Sequence, residues 1–126
     1  MDIYNAPVKS SNDLDSLKKL IYTYSCYKAM RDDGKKLRPR LIDLLSLYMK
    51  YGYSSDTKAK ATEIFEVKRA AIDSMNLELR RAGYLVMDKM NQNMSHLNKE
   101  LDQLRGYFES RDGEPIYFVY TIEIEK

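Results

Sequence analysis

The side chains best suited to bind a ligand are the cationic and amide groups around residues 67–86, VKRAAIDSMNLELRRAGYLV. Lysine and arginine bind phosphate oxygens and guanine edges, and asparagine pairs with adenine edges. This set of side chains favours contact with a nucleic acid over covalent catalysis. The candidate contact residues are Lys68, Arg69, Asp73, Ser74, Asn76 and Arg80, with Lys58 and Lys60 upstream.

Several kinds of site have too few residues of the required type. Cys26 is the only cysteine and His96 the only histidine, so an intrachain disulfide, a zinc finger and a Cys-His catalytic pair at local spacing are excluded. The five glycines are scattered and form no phosphate-binding loop. We therefore expect no catalytic residues, no metal and no cofactor.

A helix followed by a strand must position the candidate residues. Ile72, Met75 and Leu79 recur at spacings of three and four, which predicts a helix with one apolar stripe. Gly83 follows the last apolar turn, as glycine commonly does at a helix C-terminus. Strand-forming side chains come next, so residues 84–90 are predicted to form a strand.

The same run resembles a known sequence pattern. Val67, Arg69, Ile72, Met75, Leu79, Gly83 and Leu85 match, without gaps, the pattern V-x-R-x-x-V-x-x-A-L-x-x-L-x-x-x-G-L-I. This pattern is typical of winged helix-turn-helix regulators such as the GntR-type and MarR-type families. The chain has Glu66 where the turn usually carries glycine, and Asn76 where these families usually have leucine. The resemblance implies a recognition helix that begins near Lys68 and enters the major groove of DNA.

Three further helices are predicted upstream, within one domain spanning residues 1–126. The first covers residues 11–31 and is capped by Ser11 or Asn12, after a flexible N-terminus at residues 1–10. The second begins near Pro39, and the third covers residues 56–66 with Ser55 or Asp56 as its cap. Residues 37–86 would then form the helix-turn-helix core. Six tyrosines are expected mainly to pack these helices together: Tyr22, Tyr24, Tyr27, Tyr48, Tyr51 and Tyr53.

An amphipathic helix and a strand are predicted after the motif. The helix spans residues 93–109, and a strand at residues 116–125 is expected to pair with residues 84–90. The predicted fold is α+β, a winged helix-turn-helix with an extra N-terminal helix and a helix inserted between the two wing strands. The apolar stripe of the inserted helix would form a homodimer seam or fold back on the domain's own core. It consists of Met94, Leu97, Leu101, Leu104 and Phe108.

Charge is uneven along the chain. Residues 1–90 hold 17 lysines and arginines against 12 acidic residues, and residues 91–126 hold 4 against 7. The basic part contains the motif, so we expect a phosphate-binding surface there, which also draws on Lys35, Lys36, Arg38, Arg40 and Arg81. No apolar run is long enough for a membrane helix, and the first residues lack the apolar core of a signal peptide, so a cytoplasmic location is expected.

These observations predict a protein that binds double-stranded DNA and regulates transcription, in the manner of a compact bacterial or phage regulator. Two alternatives stay open. One is a protein-interaction module of a transcription or replication assembly that uses a winged-helix fold. The other is a structural protein whose amphipathic helices pack against copies of itself. Salt separates them, because phosphate contacts weaken steeply with salt and apolar assembly does not.

Overall fold

The computed structural model describes residues 2–9, 13–32, 34–90, 94–110 and 114–122. These residues form helices and antiparallel strands, so the predicted α+β class is confirmed. In chain order the elements are β1 (Asp2–Lys9), α1 (Leu14–Asp32), α2 (Pro39–Tyr51), α3 (Ser55–Phe65), α4 (Arg69–Arg81), β2 (Leu85–Met87), β3 (Ser95–Leu97), α5 (Lys99–Ser110) and β4 (Pro115–Ile122).

Helices α1 and α2 pack against each other, and both contribute buried side chains to the core. The Asp13 carboxylate accepts a hydrogen bond from the Ser16 amide at 2.8 Å, which satisfies a free N–H group in the first turn of α1. The predicted caps, Ser11 and Asn12, lie outside the described residues. Pro39 occupies the first turn of α2, where its missing N–H group costs nothing.

Helix α3 is joined to α4 by a tight turn. Ser54 caps α3 by accepting from the Thr57 amide, so the prediction of Ser55 or Asp56 as the cap is off by one or two residues. The helix ends at Glu66, which adopts the left-handed conformation with φ of 54°. The Val67 amide donates to the Thr62 carbonyl at 3.1 Å, which completes a Schellman motif.

Helix α4 ends in a second Schellman motif, as the glycine predicted. Gly83 has φ of 83°, and the Tyr84 amide donates to the Leu79 carbonyl at 2.9 Å. The chain then enters β2, which pairs antiparallel with β3 in the register Leu85 to Leu97. The predicted pairing of residues 84–90 with residues 116–125 is therefore wrong, and so is the helix inserted between two wing strands.

Asn98 explains why α5 begins later than the apolar stripe indicated. Its side-chain oxygen accepts from the Leu101 amide at 2.7 Å, which is the N-cap arrangement, and Lys99 is the first helical residue. The alternation of buried Ser95, exposed His96 and buried Leu97 has the period of a strand. The predicted start of this helix, residue 93, lies outside the described residues.

Strands β1 and β4 form a separate two-stranded ribbon. They pair antiparallel over eight residue pairs, from Asp2 with Ile122 to Lys9 with Pro115, and β1 contacts α1. Asp2–Lys9 thus forms a strand within the segment for which the sequence predicted a flexible N-terminus, residues 1–10. Residues 123–125 of the predicted C-terminal strand lie outside the described residues.

One cluster of buried apolar side chains joins the five helices and the β2–β3 hairpin. Burial of each large side chain contributes about 1.5–3 kcal/mol, and this cluster holds the elements of the candidate site in place. Its most deeply buried members include Tyr24, Tyr48, Phe108, Leu20, Ile21, Leu44, Leu45, Ile72, Leu79 and Leu101. None of the described helices has the length and apolar character needed to cross a membrane.

Candidate nucleic-acid interface

The N-terminal turn of α4 presents two cations to solvent. Lys68 is the N-cap residue and makes no side-chain capping bond, and Arg69 is the first helical residue; both are exposed. The Arg69 Nε atom lies 3.7 Å from the Asp73 carboxylate, one turn further along the helix. An exposed pair of this kind contributes little to stability, so the Arg69 guanidinium can exchange this partner for another acceptor.

The face of α4 opposite the core is of mixed character. Asp73 and Ser74 are exposed, as their candidate role requires. Leu77 is 44% exposed on the same helix, and the carboxylate of Glu78 pairs with Arg38 of the α1–α2 connection. Arg38 is therefore partly neutralised, and it contributes less to a phosphate-binding surface than its charge alone predicted.

Asn76 is the candidate that the structure moves into the core. Its side chain is buried, and its Oδ1 atom accepts a hydrogen bond from the Tyr48 hydroxyl at 2.5 Å. The residue lies four positions after Ile72 and three before Leu79, so helical geometry places it on the buried face. Its predicted contact with DNA is wrong in this conformation. The helical spacing of Asn76 indicated a buried position, whereas its polar amide had favoured an exposed contact residue.

Burial also controls the chemistry of Tyr48. It raises the pKa of the Tyr48 hydroxyl well above the usual value. The phenol is therefore neutral at physiological pH and donates a hydrogen bond to the amide oxygen. This buried pair connects α2 to α4 and fixes the orientation of the candidate recognition helix.

Arg80 is half-buried and points toward the hairpin. Its Nε atom donates to Ser95 Oγ at 2.8 Å, and a terminal nitrogen donates to the Tyr53 hydroxyl at 3.3 Å. The guanidinium thus holds α4 against β3 and against the segment that precedes α3. The prediction that Arg80 mainly binds phosphate is not supported by these contacts, which give it a structural role.

Lys58 and Lys60 lie beside tyrosine rings at the junction of α2 and α3. The Lys58 ammonium is 4.5 Å from the centre of the Tyr53 ring, and the Lys60 ammonium is 5.1 Å from the centre of the Tyr51 ring. Lys50 lies 5.5 Å from the same Tyr51 ring. We call these five residues the lysine–tyrosine corner.

The lysines of this corner differ from Arg38 and Arg69, which each pair with a carboxylate. Among the residues that the structure describes, no carboxylate oxygen lies within 4.0 Å of Lys50, Lys58 or Lys60. A phosphate can therefore bind these lysines without first displacing a carboxylate. Sequence reasoning did not single out Lys50, Tyr51 or Tyr53 as contact residues. The available signal was the alternation of tyrosine and lysine in residues 48–53, YMKYGY.

The apolar stripe of α5 is mostly covered by the protein itself. Leu97, Leu101 and Phe108 are buried in the core, and Leu104 packs against it. The alternative that the stripe folds back on the domain's own core is therefore confirmed, and these buried side chains are not available to the predicted homodimer seam in this conformation. Met94 alone of the predicted seam residues is clearly exposed, at 41%.

The described residues offer little to other classes of site. No group of three or more metal-ligating side chains occurs within the described parts of the chain. Cys26 is partly buried and is not in a disulfide. Comparisons with protein families, with curated proteins and with solved structures found no match to this chain.

Proposed function

We propose that this protein binds double-stranded DNA as a winged helix-turn-helix protein, with α4 as the recognition helix and the β2–β3 hairpin as the wing. The observation that carries the proposal is the order of elements: α3, a tight left-handed turn, α4, and an antiparallel hairpin. Helix α4 has one face in the core and begins with two exposed cations. This arrangement leaves the first turn of α4 accessible to a duplex groove.

In this proposal the contacts divide into two groups. Arg69 is the best candidate for a base contact, because a guanidinium pairs with guanine through two hydrogen bonds. Lys68 and the lysines of the lysine–tyrosine corner bind phosphate oxygens, which are not sequence-specific. Their lack of acidic partners lowers the cost of each contact. A role in transcription regulation follows from specific binding and is part of the proposal.

The test is fluorescence anisotropy with a labelled random-sequence duplex at several salt concentrations. Binding should weaken steeply with salt, because each phosphate contact releases about one condensed counterion. The double variant Lys58→Ala/Lys60→Ala should bind less tightly. The slope of the logarithm of its binding constant against the logarithm of the salt concentration should become shallower by about two. Lys19→Ala is the control, because Lys19 is an exposed lysine of α1 that is not among the residues proposed to contact DNA.

Arg69→Ala tests the recognition helix separately. Once a preferred site has been selected from a random library, this variant should lose about 1–3 kcal/mol at that site and less on random duplex. Absence of binding at low salt contradicts the proposal. So does an equal loss of affinity in the Lys19→Ala control and the corner variant.

We also propose a second function, as a protein-interaction module, because apolar side chains are exposed on the hairpin. Met90 is 95% exposed, Met87 is 47% exposed, and Val86 is 43% exposed. Flexible methionine side chains adapt to apolar partner surfaces. Binding through this hairpin should persist at high salt, which distinguishes it from phosphate contacts.

A further inference from the structure

The β1–β4 ribbon has two outer edges, and they differ in their capacity to pair with another strand. Within the described residues, each of these strands pairs only with the other. A strand at the edge of a sheet leaves a row of backbone N–H and C=O groups available to a further strand. Two-stranded ribbons are also marginally stable alone, so addition of strands is favourable.

The outer edge of β1 carries features that oppose pairing. Pro7 has no backbone N–H group, and proline on an edge strand interrupts a continuous ladder. The strand also begins with Asp2 and ends with Lys9, and charged residues on edges have the same effect. β1 is therefore a protected edge.

The outer edge of β4 is less protected, because its proline, Pro115, is the first residue of the strand and lies outside the segment that would pair. Residues 116–122, IYFVYTI, contain no proline and no charged residue, and they consist mostly of residue types that favour strands. A second copy of the same segment would bring no like charges together within the paired region. Antiparallel pairing of a strand with its own copy has two-fold symmetry, so one edge supplies both sides of the interface.

We propose that β4 pairs with β4 of a second copy of this chain, which gives a four-stranded antiparallel sheet in the order β1, β4, partner β4, partner β1. The occupant of the free edge is thus the chain itself, and the protected β1 edges end the sheet at a dimer. This interface replaces the α5 seam that the sequence predicted. The inference does not depend on DNA binding, although a dimer would present two copies of α4.

The first measurement is the mass in solution by light scattering after size-exclusion chromatography. A dimer of the 14.8 kDa chain is expected. Phe118→Pro and Val119→Pro should then be compared, because successive residues of a strand direct their N–H groups to opposite edges. One variant should become monomeric and keep the circular dichroism and thermal unfolding of the parent. The other should disturb the β1–β4 ladder itself.

Cysteine crosslinking locates the interface. With full overlap of residues 116–122, Val119 lies opposite its own copy at about 4.5–5.5 Å between Cα atoms, which suits a disulfide. In a Cys26→Ser background, a single cysteine at position 119 should form covalent dimers on oxidation, and a mixture of the variants with cysteine at position 118 and at position 120 should form mixed dimers, because these two positions lie opposite each other in the same register. Asn5→Cys is the matched control: Asn5 pairs with Val119 on the other strand, so the two copies would lie about 14 Å apart.

Pro7→Val provides an independent test, because it removes the protection of the β1 edge. This variant should form species larger than a dimer. The proposal is overturned by a monomer at concentrations of tens of micromolar, or by crosslinking of Asn5→Cys as efficient as that of the β4 cysteines. Failure of these tests leaves the DNA-binding proposal standing, since the anisotropy measurements address a different surface.

Discussion

The Tyr48 hydroxyl donates a hydrogen bond of 2.5 Å to Asn76 Oδ1 inside the core, between α2 and α4. Both side chains are almost completely buried, at 2% and 3% exposure. A buried polar group without a partner costs about 1–3 kcal/mol, so each of these residues depends on the other. The pair fixes the relative rotation of the two helices.

Replacement of one member of this pair should be more costly than replacement of both. Asn76→Leu leaves the buried Tyr48 hydroxyl without its hydrogen-bond partner, and Tyr48→Phe does the same to the Asn76 amide oxygen. Each variant should therefore lower the free energy of unfolding by about 1–3 kcal/mol. The double variant should lose clearly less than the sum. Urea unfolding of the four proteins measures the coupling. Additive losses would show that the hydrogen bond contributes nothing of its own.

Asn98 connects the start of α5 to α1 and to the turn after α4. Two substitutions should separate its role as the N-cap of α5 from its hydrogen bonds to the other two segments. It caps α5, and its amide nitrogen donates to the Gly83 carbonyl at 2.8 Å and to the Tyr24 hydroxyl at 3.1 Å. Asn98→Ala should cost about 2 kcal/mol, because it removes the cap and strands the Gly83 carbonyl. Asn98→Ser keeps a capping oxygen and should lose about half as much. Equal stability of the two variants, measured by urea unfolding, would contradict this division.

Glu66 occupies a backbone conformation that favours glycine. Its φ of 54° places Cβ close to the following carbonyl, which costs about 1–2 kcal/mol for a residue with a side chain. Glu66→Gly should therefore raise the free energy of unfolding by about 0.5–1 kcal/mol after the entropy of glycine is counted. Glu66→Ala is the matched control, because it removes the carboxylate and keeps Cβ. A gain in both variants would assign the effect to charge.

Local patterns predicted most of the helical part of the fold. The stripe through Ile72, Met75 and Leu79 and the stop at Gly83 are confirmed, because periodicity and glycine act over one or two turns. The pairing of Asp2 with Ile122 was not predicted. Nothing near either residue identifies a partner so distant in sequence, and the choice among possible strand partners depends on the assembled chain.

The candidate site was predicted less completely than the fold. Lys68 and Arg69 are exposed as expected, because their position at a helix start determines their accessibility. Arg80 is held by Ser95 and Tyr53, a contact that required the position of β3. That no acidic side chain of the described segments pairs with the lysine–tyrosine corner likewise depends on tertiary structure, which composition and spacing do not provide.

Buried tyrosines predict a loss of stability at alkaline pH. Burial raises the pKa of Tyr24 from 10.0 to about 12, and burial also raises the pKa values of Tyr48 and Tyr84. Because the folded state holds these protons more tightly, their stabilising effect is complete below pH 10 and is lost as the pH rises toward 12. Each tyrosine that ionises only in the unfolded state lowers the free energy of unfolding by up to about 1.4 kcal/mol per pH unit.

Urea unfolding between pH 9 and pH 11.5 measures this effect, and Tyr24→Phe is the informative variant. It should be less stable than the parent at pH 9, because it loses the hydrogen bond from Asn98, and it should show a shallower decline above pH 10. Tyr22→Phe is the control, since Tyr22 is 50% exposed and should leave the slope unchanged. Parallel declines in the parent and in Tyr24→Phe would mean that Tyr24 is not the group whose ionisation drives alkaline unfolding.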